Sequence, residues 1–283
     1  MQILRKLVPF NNVGRSNNII FNLVSRRMSS SNISSTPIIE LREDTLSPQH
    51  VDSYHKATTE ASVTRKELLP LRLFSLPETG GRLNVATHLY YFQGGFQERN
   101  ERRKAMGTNN PDWKVYLQSV QPFLVDQKST IFVEAPLVSE IEGVCGLTPG
   151  NIEQQLYDQQ HSDDDASSSS SDESILELRR YQLKLGYDTV PKFLELYRAG
   201  LPSKLTAPGT DPSTSLVTLL SSEVGQLNEV MEVWRHGSTN AMEQSRVAAR
   251  GATEWKQSIA KIASLATVFT STIHTPLSFS PLK

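Results

Sequence analysis

From Ile175 to Leu183 apolar and polar residues alternate, the period of a strand with one buried face. Thr189 then offers a helix cap, and Pro191 suits a first turn. Val190, Phe193, Leu194, Tyr197 and Leu201 recur at helical spacing and form one apolar stripe. The stretch TAPGTDPSTS (residues 206–215) ends that helix. Two β runs follow, Leu216–Val224 and Leu227–Arg235, and Gly225 with Gln226 between them predicts a hairpin. A helical pair comes next, its second member striped by Trp255, Ile259, Ile262 and Ala266, and a strand over Thr267–His274 closes the unit.

The first half repeats this order. Strands are predicted over Ile38–Arg42, Leu71–Leu76, Leu83–Phe92 and Thr130–Val133. A helix starting at Asn110–Pro111 carries Trp113, Tyr116, Leu117, Val120 and Leu124 as its stripe. PIIELRED (37–44) corresponds to SILELRRY (174–181), and Gly95 and Trp113 precede Gly237 and Trp255 by the same 142 residues. FVEAPL (132–137) corresponds to TIHTPL (272–277). Such self-similarity indicates a tandem duplication. Strand–helix–strand–strand–helix–strand is the split βαβ order. The fold class expected is α+β: two tandem ferredoxin-like domains whose sheets cover each other as an intramolecular dimeric α+β barrel.

Residues 1–36 contain five Arg or Lys and no Asp or Glu, with aliphatics between the charges and serines at 29–31. That is the composition of a mitochondrial transit peptide, with removal expected near Arg27–Ser29. The expected organisation is a leader over 1–36, a divergent first domain over 37–140, an acidic serine-rich linker over 141–173 and a second domain over 174–283. Within the linker, HSDDDASSSSSDES (161–174) is too polar to offset its ordering entropy. Net charge is −1, which excludes a global basic field for nucleic acid. No apolar run reaches the roughly 20 residues of a membrane span. The one cysteine, Cys145, can form neither an internal disulfide nor a cysteine-based zinc site.

LELRRYQLKLG (176–186), EVWRHGSTNAMEQSR (232–246), WKQSIAKI (255–262) and the closing TPLSFSPLK (275–283) resemble the NIPSNAP family. The resemblance covers Ser174–Lys283 well and Pro37–Val138 more weakly. It implies a dimeric α+β barrel, location in the mitochondrial matrix, roles in mitochondrial quality control (mitophagy) and vesicle-associated processes, and no established reaction.

Strand alternation sorts the remaining chemistry. If Ile39, Leu41, Leu176 and Leu178 meet the helices, the opposite face carries Arg42, Glu177, Arg179 and Tyr181. The third strands add His88 and Tyr90 in one half and Glu232, Trp234 and His236 in the other. The expected barrel lumen is then polar and aromatic: either a structural ion-pair network or a pocket for a small polar or acidic ligand, with Arg42 and Arg179 converging. No phosphate loop, nucleophile elbow, metal-ligand spacing or cofactor motif is present in the sequence, so no catalytic residue, metal or cofactor is expected. Two functions stay open. One is a non-enzymatic adaptor scaffold that binds mitochondrial proteins, self-association included. The other is a small-molecule binder or a monooxygenase- or isomerase-like enzyme. A lumen filled by its own side chains would favour the first, and an enclosed cavity with unpaired Arg179, Tyr181 or His236 the second.

Overall fold

The computed structural model describes residues 35–151 and 174–283. The expected leader, apart from Ser35 and Thr36, and the linker from 152 to 173 lie outside the described residues. The first half runs β1 (Ile38–Leu46), α1 (Val51–Glu60), α2 (Ser62–Leu68), β2 (Leu71–Thr79), β3 (Val85–Phe92), α3 (Gly95–Asn109), α4 (Pro111–Val120) and β4 (Leu124–Glu134), then a short α5 (Leu137–Glu140). The second runs β5 (Ile175–Leu183), α6 (Thr189–Leu205), β6 (Ser215–Val224), β7 (Glu229–His236), α7 (Thr239–Gly251), α8 (Thr253–Leu265) and β8 (Ala266–Pro276). The α4 helix stops at Val120, so Leu124 of the expected stripe begins β4 instead. Gly95 opens α3 at φ +63, where a Cβ would meet the Thr36 carbonyl oxygen at 2.7 Å.

The eight strands close into one antiparallel barrel in the order β1-β3-β2-β8-β5-β7-β6-β4. Each half contributes four neighbouring strands, and the halves join through β2–β8 and β4–β6. Closure gives every strand a neighbour on each side, although the joins β2–β8 and β4–β6 pair only part of each strand. β1 and β5 share one burial pattern, and their registers set Leu41 against Leu89 and Leu178 against Val233.

The middle of the lumen is apolar where the sequence reading expected it polar. Ile39, Leu41, Leu73, Leu89, Phe132, Leu176, Leu178, Val217, Leu220, Met231 and Val233 form one buried cluster drawn from both halves. The alternation is as expected; the faces are exchanged. An eight-stranded barrel leaves just enough interior for side chains, and its backbone groups are already paired in the ladders. Inside it a buried charge has few partners. The helices, by contrast, bring Arg99 and Arg103 to Glu40, and Arg246 to Glu177. The polar strand face therefore turns outward to the helices. The expected convergence of Arg42 and Arg179 does not occur, because each faces the helices of its own half.

Residues 144–147, which the sequence reading placed in the linker, are built into the barrel. Cys145 and Gly146 donate backbone hydrogen bonds to the carbonyls of Leu216 and Val217 at 3.1 and 2.7 Å. Leu147 is buried in the lumen cluster, as is Leu282 from the closing segment. Arg72 Nε donates to the Leu147 carbonyl at 2.9 Å, and the Leu282 amide donates to the Arg72 carbonyl at 3.0 Å.

Candidate functional site

Each half holds a buried glutamate between its sheet and helices. Glu40 accepts hydrogen bonds from Arg99 (2.9 and 3.1 Å), Arg103 (2.6 Å) and Ser129 (2.7 Å). Burial alone would raise its carboxyl, but these donors outweigh it and bring it down to about 2. Glu177 accepts from Arg179, Arg246 and Ser271, each at 2.6 Å, and His236 Nε2 lies 3.4 Å away. Burial again opposes ionisation, and the His236, Arg179 and Ser271 contacts hold the carboxyl well below the usual carboxylate range. These are structural ion-pair networks, and Arg179 is part of one.

The halves differ in what lies beside that network. In the first, Arg65 of α2 is buried and donates to Tyr90 Oη at 2.6 Å and Tyr116 Oη at 2.5 Å. Its guanidinium also lies about 5 Å from the Phe74, Trp113 and Tyr116 ring centroids. His88 stacks on Phe74 at 4.0 Å, and burial pushes its imidazole down to about 3. Arg42 is 3.9 Å from Asp44. The cavity left here is about 390 Å³.

In the second half the cavity is about 680 Å³, bounded by the outer face of the sheet and by α7 and α8. Trp234, Trp255, Ile262, Tyr181 and Phe269 supply apolar wall, and the partly exposed Arg246 with Arg250 and Lys256 lies toward its opening. Tyr181 stacks on Phe269 at 4.5 Å. Glu232 accepts from Trp234 Nε1 at 2.5 Å. His236 Nδ1 is paired with Thr214 Oγ1 at 2.9 Å.

Lys204 reaches this cavity from α6. Phe193, Tyr197, Gly200, Leu201 and Lys204 make up the inward face of that helix. A Cβ on Gly200 would meet Ser258 at 2.7 Å, so glycine lets α6 lie close on α8. The Lys204 ammonium nitrogen has no hydrogen-bond partner. It sits 3.4 Å from the Trp234 ring centroid and 4.7 Å from that of Trp255. Burial first, then the positive charge of Arg179, pushes its ammonium well below the usual lysine range, against the pull of Glu232 and Glu177.

The structure thus gathers Glu177, Arg179, Tyr181, Trp234 and His236 about one cavity, with Glu232 bonded to Trp234 beside it, and Arg42, His88 and Tyr90 about another, with none of the nine in the apolar lumen core. Sequence reasoning missed Lys204 and Arg246. The signal for Lys204 was present: it follows Leu201 by three residues on the apolar stripe of α6, where a surface lysine does not belong. Among the described residues, no group of three His, Cys, Asp or Glu side chains is placed to hold a metal ion, and no helix is long and apolar enough to cross a membrane.

A solved structure from Fusobacterium nucleatum, provisionally named a monooxygenase, is 12% identical to this chain over 86% of it and 94% of its own length, with a TM-score of 0.55. A second of the same provisional name, from Lactobacillus acidophilus, is 10% identical over the same shares, with a TM-score of 0.52. At these identities the likeness concerns the fold alone, a two-half α+β barrel in one chain. A NIPSNAP family protein from Agrobacterium tumefaciens is 22% identical over 41% of this chain and 96% of its own, with a TM-score of 0.35. No curated protein matches the chain. The NIPSNAP family model matches residues 176–281, the half that contains Lys204 and the larger cavity, so the second half of the chain is a NIPSNAP domain.

Proposed function

We propose that the chain is a small-molecule-binding barrel protein and that its ligand occupies the sheet–helix cavity of the second half. One observation carries this reading: a 680 Å³ cavity is lined by a buried lysine whose nitrogen has no hydrogen-bond partner, whereas Arg65 of the first half is bonded to two tyrosines. Buried polar groups are as a rule paired, so an unpaired one facing open volume marks where a ligand group belongs. The ligand that fits has an apolar body against Trp234, Trp255 and Ile262 and one oxygen-bearing head, a carboxylate or a carbonyl, at Lys204. Titrating the purified protein with octanoate and with octanal tests this. Quenching of indole fluorescence is expected, because Trp234 and Trp255 wall the cavity. Ile259→Trp, which narrows the cavity, should weaken binding of whichever compound binds. No response to either compound, and no stabilising ligand in a wider metabolite screen, would sink the reading.

The adaptor scaffold is the second reading, and the filled apolar lumen favours it. It becomes the better account if no ligand is found. We also read the two halves as tandem ferredoxin-like domains, on their shared element order and matching strand neighbours. For location we propose the mitochondrial matrix, on the acid-free, arginine-containing leader. N-terminal sequencing of protein from isolated mitochondria tests this, and an intact Met1 would overturn it.

A further inference from the structure

We propose that Lys204 acts as a nucleophile, condensing with the carbonyl carbon of an apolar aldehyde or ketone held in the second-half cavity; the proposal rests on the ligand-binding reading above.

Three features point to this chemistry. Lys204 lines the cavity, and its nitrogen, buried against Trp234 and Trp255, makes no hydrogen bond that would occupy it. Neither nearby carboxylate hydrogen-bonds the amine: Glu177 is held by Arg179, Arg246 and Ser271, and one oxygen of Glu232 by the Trp234 indole. Finally, Arg179 and Arg246 line the same cavity, and their charges offset those of Glu177 and Glu232 near the amine. A lysine in an apolar pocket beside another cation favours its neutral form, whose lone pair is free to attack. Burial of the side chain acts in the same direction. This separates the two candidate head groups. A carboxylate calls for a protonated lysine, which these surroundings disfavour, whereas a carbonyl calls for the neutral amine they favour.

The step balances without a redox partner. The amine nitrogen bonds to the carbonyl carbon as the carbon–oxygen π pair moves to oxygen. The two hydrogens of the amine then leave with that oxygen as water, and a carbon–nitrogen double bond remains. Trp234, Trp255 and Ile262 offer the product an apolar wall.

Octanal with sodium cyanoborohydride tests the proposal, since the hydride fixes an imine as a stable secondary amine. The full chain is treated at neutral pH, digested and mapped by mass spectrometry. The expected result is saturable labelling of Lys204, about tenfold faster than at exposed lysines, whose amines are protonated at that pH. Lys204→Arg should lose this label and keep only slow surface labelling, and Ile259→Trp should slow the Lys204 label. Indole quenching by octanal without a Lys204 label would overturn the imine and leave the cavity reading standing. Neither quenching nor label would overturn the imine, and no response to octanoate or to the metabolite screen in addition would overturn both. The wild-type map carries the decision should Lys204→Arg fail to fold.

Discussion

Glu43 and Arg180 occupy the same row of β1 and β5 and bond each other across the barrel. Arg180 donates to the two oxygens of Glu43 at 2.8 and 3.2 Å, the bidentate geometry that suits arginine. The equivalent rows before them, Arg42 and Arg179, never meet. One step along the strand moves a side chain from the helix layer to the lumen, so the pair that joins the halves is this one. Arg180 also lies 3.9 Å from Glu229, so it serves both β1 and β7.

Arg180→Met should therefore loosen the joint between the halves. It leaves Glu43 and Glu229 facing each other with Lys128, 3.7 Å from Glu43, as the remaining near cation. Both members of the pair are about a fifth exposed, so solvent screens part of the loss, and the expected cost is about 1–2 kcal/mol. Denaturant melts of the two single variants and the exchanged pair Glu43→Arg/Arg180→Glu would measure it. A coupling energy near zero in that cycle would show that the pair is incidental.

The apolar middle of the lumen should behave as a dry core. Leu41→Ala and Leu178→Ala each remove a fully buried side chain from the cluster that spans both halves. The expected cost is about 2–5 kcal/mol apiece. Both should lower one cooperative transition, since each touches the shared core. Two separated transitions in calorimetry would mean that the halves unfold independently.

Much of this architecture was legible in the alternation of β1 and β5 and in the stripe of α4 and α6, because those periods depend only on one face being buried. The strand Ile175–Leu183 has the same bounds in sequence and structure. Period alone does not say which body covers that face. Ile39 and Leu176 met the opposite sheet rather than the helices, and that choice depended on Arg99, Arg103 and Arg246, far away in the chain. The same blindness hid Lys204, whose meaning lies in the cavity that α8 leaves over it. The Val144–Leu147 segment was unreadable for another reason: it is too short to show a period, and its order comes from the open end of β6.

Acid should destabilise the fold in two stages. Burial holds His88 neutral down to about 3 and His274 down to about 4, against an ordinary value of 6.5. The unfolded chain takes up these protons first, so their contribution is complete above about pH 6.5 and is lost as pH falls from there. Glu40 is depressed to about 2 from 4.5, so its contribution is complete above about 4.5 and is lost on the way to 2. The melting temperature should thus begin to fall near pH 6.5, before ordinary carboxylates titrate. Each such histidine removes about 1.4 kcal/mol per pH unit within its window. His88→Gln should make the first stage shallower, leaving the His274 share of it, and should leave the second unchanged. Superimposable pH profiles of the variant and the parent would contradict the assignment.

Arg179→Met and Arg42→Met should part company, although they change equivalent residues. Arg179 is 14% exposed at its side chain, donates to Glu177 at 2.6 Å and lies 3.9 Å from Glu232. Its removal leaves two buried carboxylates with one cation fewer. Arg246, Ser271 and His236 still hold Glu177, so the expected cost is about 2–4 kcal/mol, below that of a wholly orphaned charge. Arg42 is 23% exposed, and its contact is a single 3.9 Å approach to Asp44, which Tyr54 and Gln127 also bond. Its loss should cost less than about 1 kcal/mol. The variants also separate structure from binding. Arg179→Met removes a positive charge beside Lys204, so the lysine should hold its proton to higher pH and lose reactivity toward octanal at neutral pH. Arg42→Met lies in the other half and should leave that reactivity unchanged. Equal melting temperatures for the two variants would show that the Glu177 network does not depend on Arg179. Unchanged Lys204 labelling in Arg179→Met would show that this guanidinium does not set the state of the amine.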